Sequence, residues 1–280
     1  MRPTTGVLVA LLCLAAPAAA QQRPLVTEDP ETVGSGLILF EGGFDTQRGI
    51  LFPVSGLEGN LLRLPTLGLS IGVSPIAEIQ IDGGFYNRLD VTDRRPGPFS
   101  NSLDFTGDRT TDVEDLIVAT KIRLVGESPG RPAVGLRFAT RLPNASKESG
   151  LGLDTTDFFA SVLIGKTVES IRVVGNAGIG ILTYPAERDG QNDVLTYGLS
   201  LARAIAEGLE VVGEVNGRLD FREGDPPPGT ETRGAFRVGG RYTHKTVRVD
   251  AGIILGMTAS DPSFGFTTGL TWVFRGFTVP

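Results

Sequence analysis

From about residue 35 onward, apolar residues alternate with small or polar ones in stretches of ten to twelve. Tyr197, Leu199 and Leu201 interleave with Thr196, Gly198, Ser200 and Ala202; Phe236, Val238 and Tyr242 interleave with Arg237, Gly239, Arg241 and Thr243. Successive side chains of a strand point to opposite faces, so each stretch predicts a strand with one apolar face and one polar face. Twelve such stretches fall near 35–44, 60–73, 77–88, 113–125, 132–142, 154–166, 170–183, 192–204, 208–220, 233–243, 247–257 and 265–275. Short links (74–76, 127–131, 167–170, 206–207, 244–246) alternate with long ones (45–59, 89–112, 143–153, 184–191, 221–232, 258–264). An even strand count with short turns at one end and long loops at the other predicts an all-β chain: a transmembrane antiparallel β-barrel with short periplasmic turns and long extracellular loops. A soluble sandwich or propeller requires neither uniform strand length nor one-sided long loops.

The apolar faces read as lipid-facing. They include Ile79, Ile81 and Phe85; Val134, Leu136, Phe138 and Leu142; Leu209, Val211, Val215 and Leu219; and Val247, Val249, Ile253 and Leu255. The last strand places Phe266, Leu270, Trp272 and Phe274 on one face, and the tail 275–280 follows it.

The first twenty residues differ in kind. Arg2 precedes the apolar run Gly6–Ala16, and Ala18-Ala19-Ala20 offers a small-x-small cleavage site before Gln21. This is the pattern of a secretory signal peptide, too short for the roughly 20 residues of a membrane-spanning helix. Cys13, the only cysteine, lies inside it, so the mature chain is expected to have no thiol chemistry. The expected organisation is a signal peptide over 1–20, a periplasmic segment over 21–34 and a barrel over 35–280. The expected location is the bacterial outer membrane. The expected partners are the lipid bilayer, lipopolysaccharide, the outer-membrane assembly machinery and a small-molecule solute. A net charge of −6 and a sequence pI near 5.0 argue against nucleic acid as a partner. Mean hydropathy of +0.07 suits a barrel in which alternate residues are polar.

The second face carries the candidate chemistry. An arginine or lysine on the lipid face at mid-bilayer costs about 2–4 kcal/mol, so these charges belong in the lumen. The candidate pore-lining residues are Asp82, Lys121, Arg123, Arg137, Arg141, Glu210, Glu214, Arg218, Arg237 and Arg241. Glu41, Glu78, Asp115, Arg172, Arg248 and Asp250 share their face. Asp82, Arg137, Glu214 and Arg237 fall near mid-height. Lys121, Arg123, Arg137 and Arg141 form a basic wall, with Glu210 and Glu214 several strands away. Two readings stand. Opposed walls select solutes at a water-filled constriction, or the charges pair and close the lumen. A barrel of about twelve strands lies between the filled eight-stranded barrel and the open 16–18-stranded porin. The inward glycines Gly68, Gly72, Gly178, Gly180, Gly239 and Gly269 remove side-chain volume and favour an opening.

Other chemistries lack their residues. The one histidine, His244, falls in a short turn and leaves a serine hydrolase without a positioned base. Asp104, Asp108, Asp112, Glu114 and Asp115 follow one another closely, but Asp108-Arg109-Thr110-Thr111-Asp112 lacks the D-x-D-x-D-G pattern of a calcium loop and reads as a solvated external loop. No catalytic residue, metal or cofactor is expected.

Short motifs in order along most of the mature chain carry a family resemblance. They begin with Arg23-Pro24-Leu25-Val26-Thr27-Glu28-Asp29 and continue with Leu62-Arg63-Leu64-Pro65-Thr66-Leu67 before Glu78. Asp112-Val113-Glu114-Asp115 then precedes Lys121-Ile122-Arg123, and Leu142-Pro143-Asn144 precedes Gly150-Leu151-Gly152 and Thr155-Thr156-Asp157-Phe158. The last is Val174-Gly175-Asn176-Ala177-Gly178. The series resembles the outer-membrane barrel family of the meta-pathway of phenol degradation. The resemblance implies an envelope barrel passing small, often aromatic or hydrophobic, compounds, and it supplies no catalytic residues. The expected function is therefore a passive channel with a narrow charged lumen. The alternative is a non-conducting structural or adhesion barrel that binds partners through its loops.

Overall fold

The computed structural model describes residues 23–187 and 190–278. The expected signal peptide, its cleavage site and Cys13 lie outside the described residues. No helix among those residues is long and apolar enough to cross a membrane.

Fourteen strand segments form one antiparallel sheet: β1 (Leu37–Phe52), β2 (Leu57–Gly72), β3 (Ala77–Gly84), β4 (Asn87–Arg94), β5 (Arg109–Asp112), β6 (Leu116–Val125), β7 (Ala133–Leu142), β8 (Asp157–Val168), β9 (Ile171–Thr183), β10 (Gln191–Ala206), β11 (Leu209–Asp220), β12 (Arg233–His244), β13 (Val247–Gly256) and β14 (Phe264–Arg275). β2 pairs with β3 through Thr66–Gly72 and with β4 through Leu57–Arg63, so β3 and β4 are the two halves of one wall strand. β5 and β6 divide a second one in the same way, β5 facing β4 and β6 facing β3. The fourteen segments thus make twelve wall strands. β1 pairs with both β14 and β2, which closes the barrel; the short β5 pairs with β4 alone at the long-loop end.

The interruption has a local cause. Pro65 offers no amide to the ladder, and β2 changes partner beside it. The amide of Leu64 bonds to the carbonyl of Tyr86, and that of Glu114 to the carbonyl of Gly84, so the neighbouring strands are bridged across the break.

The outer surface carries the apolar face. Ile79, Phe138, Ile179, Leu199, Val211, Val249, Leu270 and Trp272 are all exposed. Trp272 and Phe274 stack at the short-turn end with ring centroids 4.3 Å apart. A closed barrel with an apolar exterior and a polar interior is stable with lipid around it, because its backbone is satisfied within the sheet.

The long-loop end differs from the sequence reading. The connection 45–59 is a tight turn over residues 53–56, because β1 continues to Phe52 and β2 starts at Leu57. The polar run Asp45-Thr46-Gln47-Arg48 reads as loop, but its backbone stays paired with β14 and β2. The connection 89–112 is likewise partly strand, with β4 and β5 leaving only residues 95–108 between them. Those residues fold over the mouth. Leu103 and Phe105 join Phe52 and Leu151 against a buried cluster of Ile50, Leu57, Leu61, Leu89 and Val91. Ser55 Oγ donates to the Gly150 carbonyl (2.8 Å) and Thr110 Oγ1 to the Ser149 carbonyl (2.8 Å), locking the loops together.

Candidate functional site: an occupied lumen

Inside the wall lies the N-terminal segment. Residues 23–34 start at mid-height beside Asp45, Thr66 and Thr267 and descend to the short-turn end, where the chain enters β1. Two prolines and no alternation exclude a strand here, yet the segment is held along its length by lumen side chains.

Arg23 is the upper anchor. Its guanidinium donates to Thr66 Oγ1 (3.0 Å), Thr267 Oγ1 (2.9 Å) and the Thr268 carbonyl (2.8 Å), with Asp250 at 3.6 Å and Asp45 at 4.0 Å. The amides of Val26 and Thr27 donate to the two carboxylate oxygens of buried Glu214 at 2.9 and 2.8 Å. Asn176 accepts from the Glu28 amide and donates to the Glu28 carbonyl, both at 2.7 Å, as a neighbouring strand would. Glu78 accepts from the Val33 amide (2.6 Å) at the lower end. Charge-assisted bonds of this kind are about twice as strong as neutral ones.

The segment's acids meet the basic residues of the wall. Glu28 binds Lys121 (3.4 Å) and Arg137 (3.0 Å). Asp29 takes a bidentate contact from Arg172 (2.9 and 2.7 Å). Glu31 pairs with Arg123. Lys121 is fully buried, with Glu78 at 3.0 Å on its other side. Arg172 also pairs with Glu127 in the turn 126–132. Burial works to raise the Glu127 pKa, but the Thr167 amide, Lys166 and Arg172 outweigh it and hold the carboxyl below its usual range.

Inward glycines make the room. A Cβ on Gly198 would lie 2.8 Å from Thr27 Oγ1, on Gly239 3.1 Å from Pro24, on Gly252 3.3 Å from Pro24, and on Gly135 3.4 Å from Pro30. Gly43 and Gly269 would collide with Arg23. The sequence reads lumen glycine as open space; at Gly72, Gly239 and Gly269 the N-terminal segment takes that space.

All ten candidate pore-lining residues face the lumen, and they divide by height. Glu210 and Arg241 (2.7 Å apart) border a cavity of about 500 Å³ at the short-turn end, with Arg172 and Arg248. Asp82, Arg137 and Arg237 border a cavity of about 350 Å³ at mid-height, with Arg23, Glu41, Asp45 and Arg63. Arg141 and Arg218 border a third, of about 220 Å³, under the loops with Arg233 and Glu231. Lys121, Arg123 and Glu214 face the N-terminal segment directly. The basic wall is therefore not bare: Glu28, Glu31, Glu78 and Asp157 neutralise it, and Glu214 is bound to two backbone amides with Arg237 at 3.5 Å. The middle and upper cavities meet at Asp115, and the middle and lower cavities meet at Leu25. Glu28, Asp29 and Glu31 are lumen groups that the sequence reading misses; the signal for them is the excess of bases over acids on the inward faces of β6, β7 and β9. His244 ends β12 at the short-turn side, exposed and away from these cavities. No group of metal-ligating residues occurs among the described residues.

A scan against protein-family models finds no match, and a search of curated proteins finds none. Solved structures do match. The COG4313 outer membrane channel from Pseudomonas putida F1 superposes with a TM-score of 0.62 at 12% identity, over 88% of this chain and 98% of that one. The NanC porin superposes with a TM-score of 0.51 at 8% identity, over 84% of this chain and 98% of that one. At these identities the likeness is one of fold, and the fold is the closed antiparallel barrel of outer-membrane proteins.

Proposed function

We propose that this chain is an outer-membrane channel for small solutes whose lumen is partitioned by its own N-terminal segment. The observation that carries the reading is the series of three cavities along the barrel axis, each sharing a lining residue with the next. Their charged linings give a solute polar surroundings within each cavity. A barrel of this circumference has room for a narrow path rather than an open pore. Movement of the N-terminal segment widens that path. The resemblance to the phenol meta-pathway barrels supports family membership and small aromatic or hydrophobic compounds as cargo. The same reading includes export by the N-terminal leader, cleavage before Gln21, insertion by the assembly machinery and long loops facing lipopolysaccharide.

The middle cavity sets selectivity in this account. Replacing Arg137 and Arg237 by glutamine removes two positive charges beside Glu41, Asp45 and Asp82. The reversal potential in a salt gradient is expected to shift toward cation selectivity. An unchanged potential removes these arginines from the path.

A further inference from the structure

We infer that Leu25 is the barrier to ions in the resting lumen, an inference that rests on the channel reading above. Leu25 is the residue shared by the middle and lower cavities. It is 6% exposed and packs on Ala202 (5%) and Val212 (1%), which lie opposite each other on β10 and β11. This is an apolar step inside an otherwise charged lumen. Two register positions above the contact, Glu214 faces Ser200 across the two strands; two below it, Glu210 faces Ala204. Leu25, Ala202 and Val212 thus form a packed apolar contact between two polar cavities, and an apolar constriction of this kind stops ions by excluding water.

The step is built rather than incidental. On one side of Leu25, Pro24 sits in the hollow left by Gly239 and Gly252, and Arg23 is pinned by three hydrogen bonds. On the other side, the amides of Val26 and Thr27 are clamped by Glu214. The Leu25 backbone is thereby fixed from both directions, and its side chain is held against Ala202 and Val212. A leucine serving only as packing would not need to separate two cavities.

The test holds the N-terminal segment in place and varies the barrier alone. A Cβ on Gly135 would lie 3.4 Å from the Pro30 Cβ, close to the ~3.5–4.5 Å of a disulfide. The only native cysteine precedes residue 21, so Pro30→Cys with Gly135→Cys gives a single possible bridge in the chain starting at Gln21. In this oxidised background, single-channel conductance is measured for Leu25, Leu25→Ser, Leu25→Met and Val212→Ser. Leu25→Ser and Val212→Ser are expected to raise conductance several-fold, and Leu25→Met to leave it unchanged. Val212→Ser wets the same step from the wall and leaves the N-terminal segment untouched. If both serine variants conduct no better than the oxidised parent, while a chain lacking residues 21–31 conducts, the Leu25 inference is overturned and the channel reading stands. If the shortened chain is also silent, both fall.

Discussion

Removing residues 21–31 is expected to convert a low-conductance barrel into an open one. The deletion takes away Arg23, the two amides held by Glu214, and the carboxylates bound by Lys121, Arg123, Arg137 and Arg172. The lower and middle cavities then merge, because Leu25 no longer lies between them. Conductance in a planar bilayer is expected to rise several-fold. Selectivity changes too: three acids (Glu28, Asp29, Glu31) leave with one arginine (Arg23), so the lumen becomes more positive by two charges. The reversal potential is expected to move toward anions. A shortened chain that folds, shows the heat-sensitive mobility of an intact barrel and conducts like the full one would contradict occlusion.

Lys121→Met is the substitution with the largest expected effect on stability. The ammonium is fully buried between Glu78 at 3.0 Å and Glu28 at 3.4 Å, and the Glu78 side chain is fully buried as well. Removing one partner of such a pair leaves an uncompensated charge and costs about 3–5 kcal/mol. Here two carboxylates are left facing each other. The loss is read from equilibrium unfolding of the refolded barrel in urea. Adding Glu78→Gln to Lys121→Met removes the orphaned charge, so the double variant is expected to lose less than the sum of the singles. A loss below about 1 kcal/mol for Lys121→Met, the range of a solvated ion pair, would mean that water enters this contact freely.

The barrel was legible in the sequence because its physics is periodic. Lipid on one side and charge on the other force an alternation that β8 to β14 carry almost without interruption. Legibility failed where the alternation stops. Asp45 to Arg48 are polar on both faces of β1, although β14 sets Phe266 and Phe264 opposite Thr46 and Arg48, so a paired strand reads as loop. The contents of the lumen were hidden for another reason. Arg23 to Gly34 have no period, and the groups that bind them are distant in sequence; Arg23 reaches Thr267, 244 positions away. The basic faces of β6 and β7 were visible, but not which carboxylates meet them. The glycines show the same limit: a missing side chain marks volume, and the sequence alone does not say whether solvent or chain fills it.

The most direct test of the account is conductance of the Pro30→Cys, Gly135→Cys chain before and after reduction. The bridge joins the N-terminal segment to β7 without altering Leu25 or any charged residue. With the bridge closed, the account predicts a nearly silent barrel. Adding reductant to the same bilayer is predicted to restore the parent's channel activity, and reoxidation to abolish it again. Equal conductance in the two states would mean that solutes pass with the segment fixed in place, and would contradict a channel controlled by its own N-terminal segment.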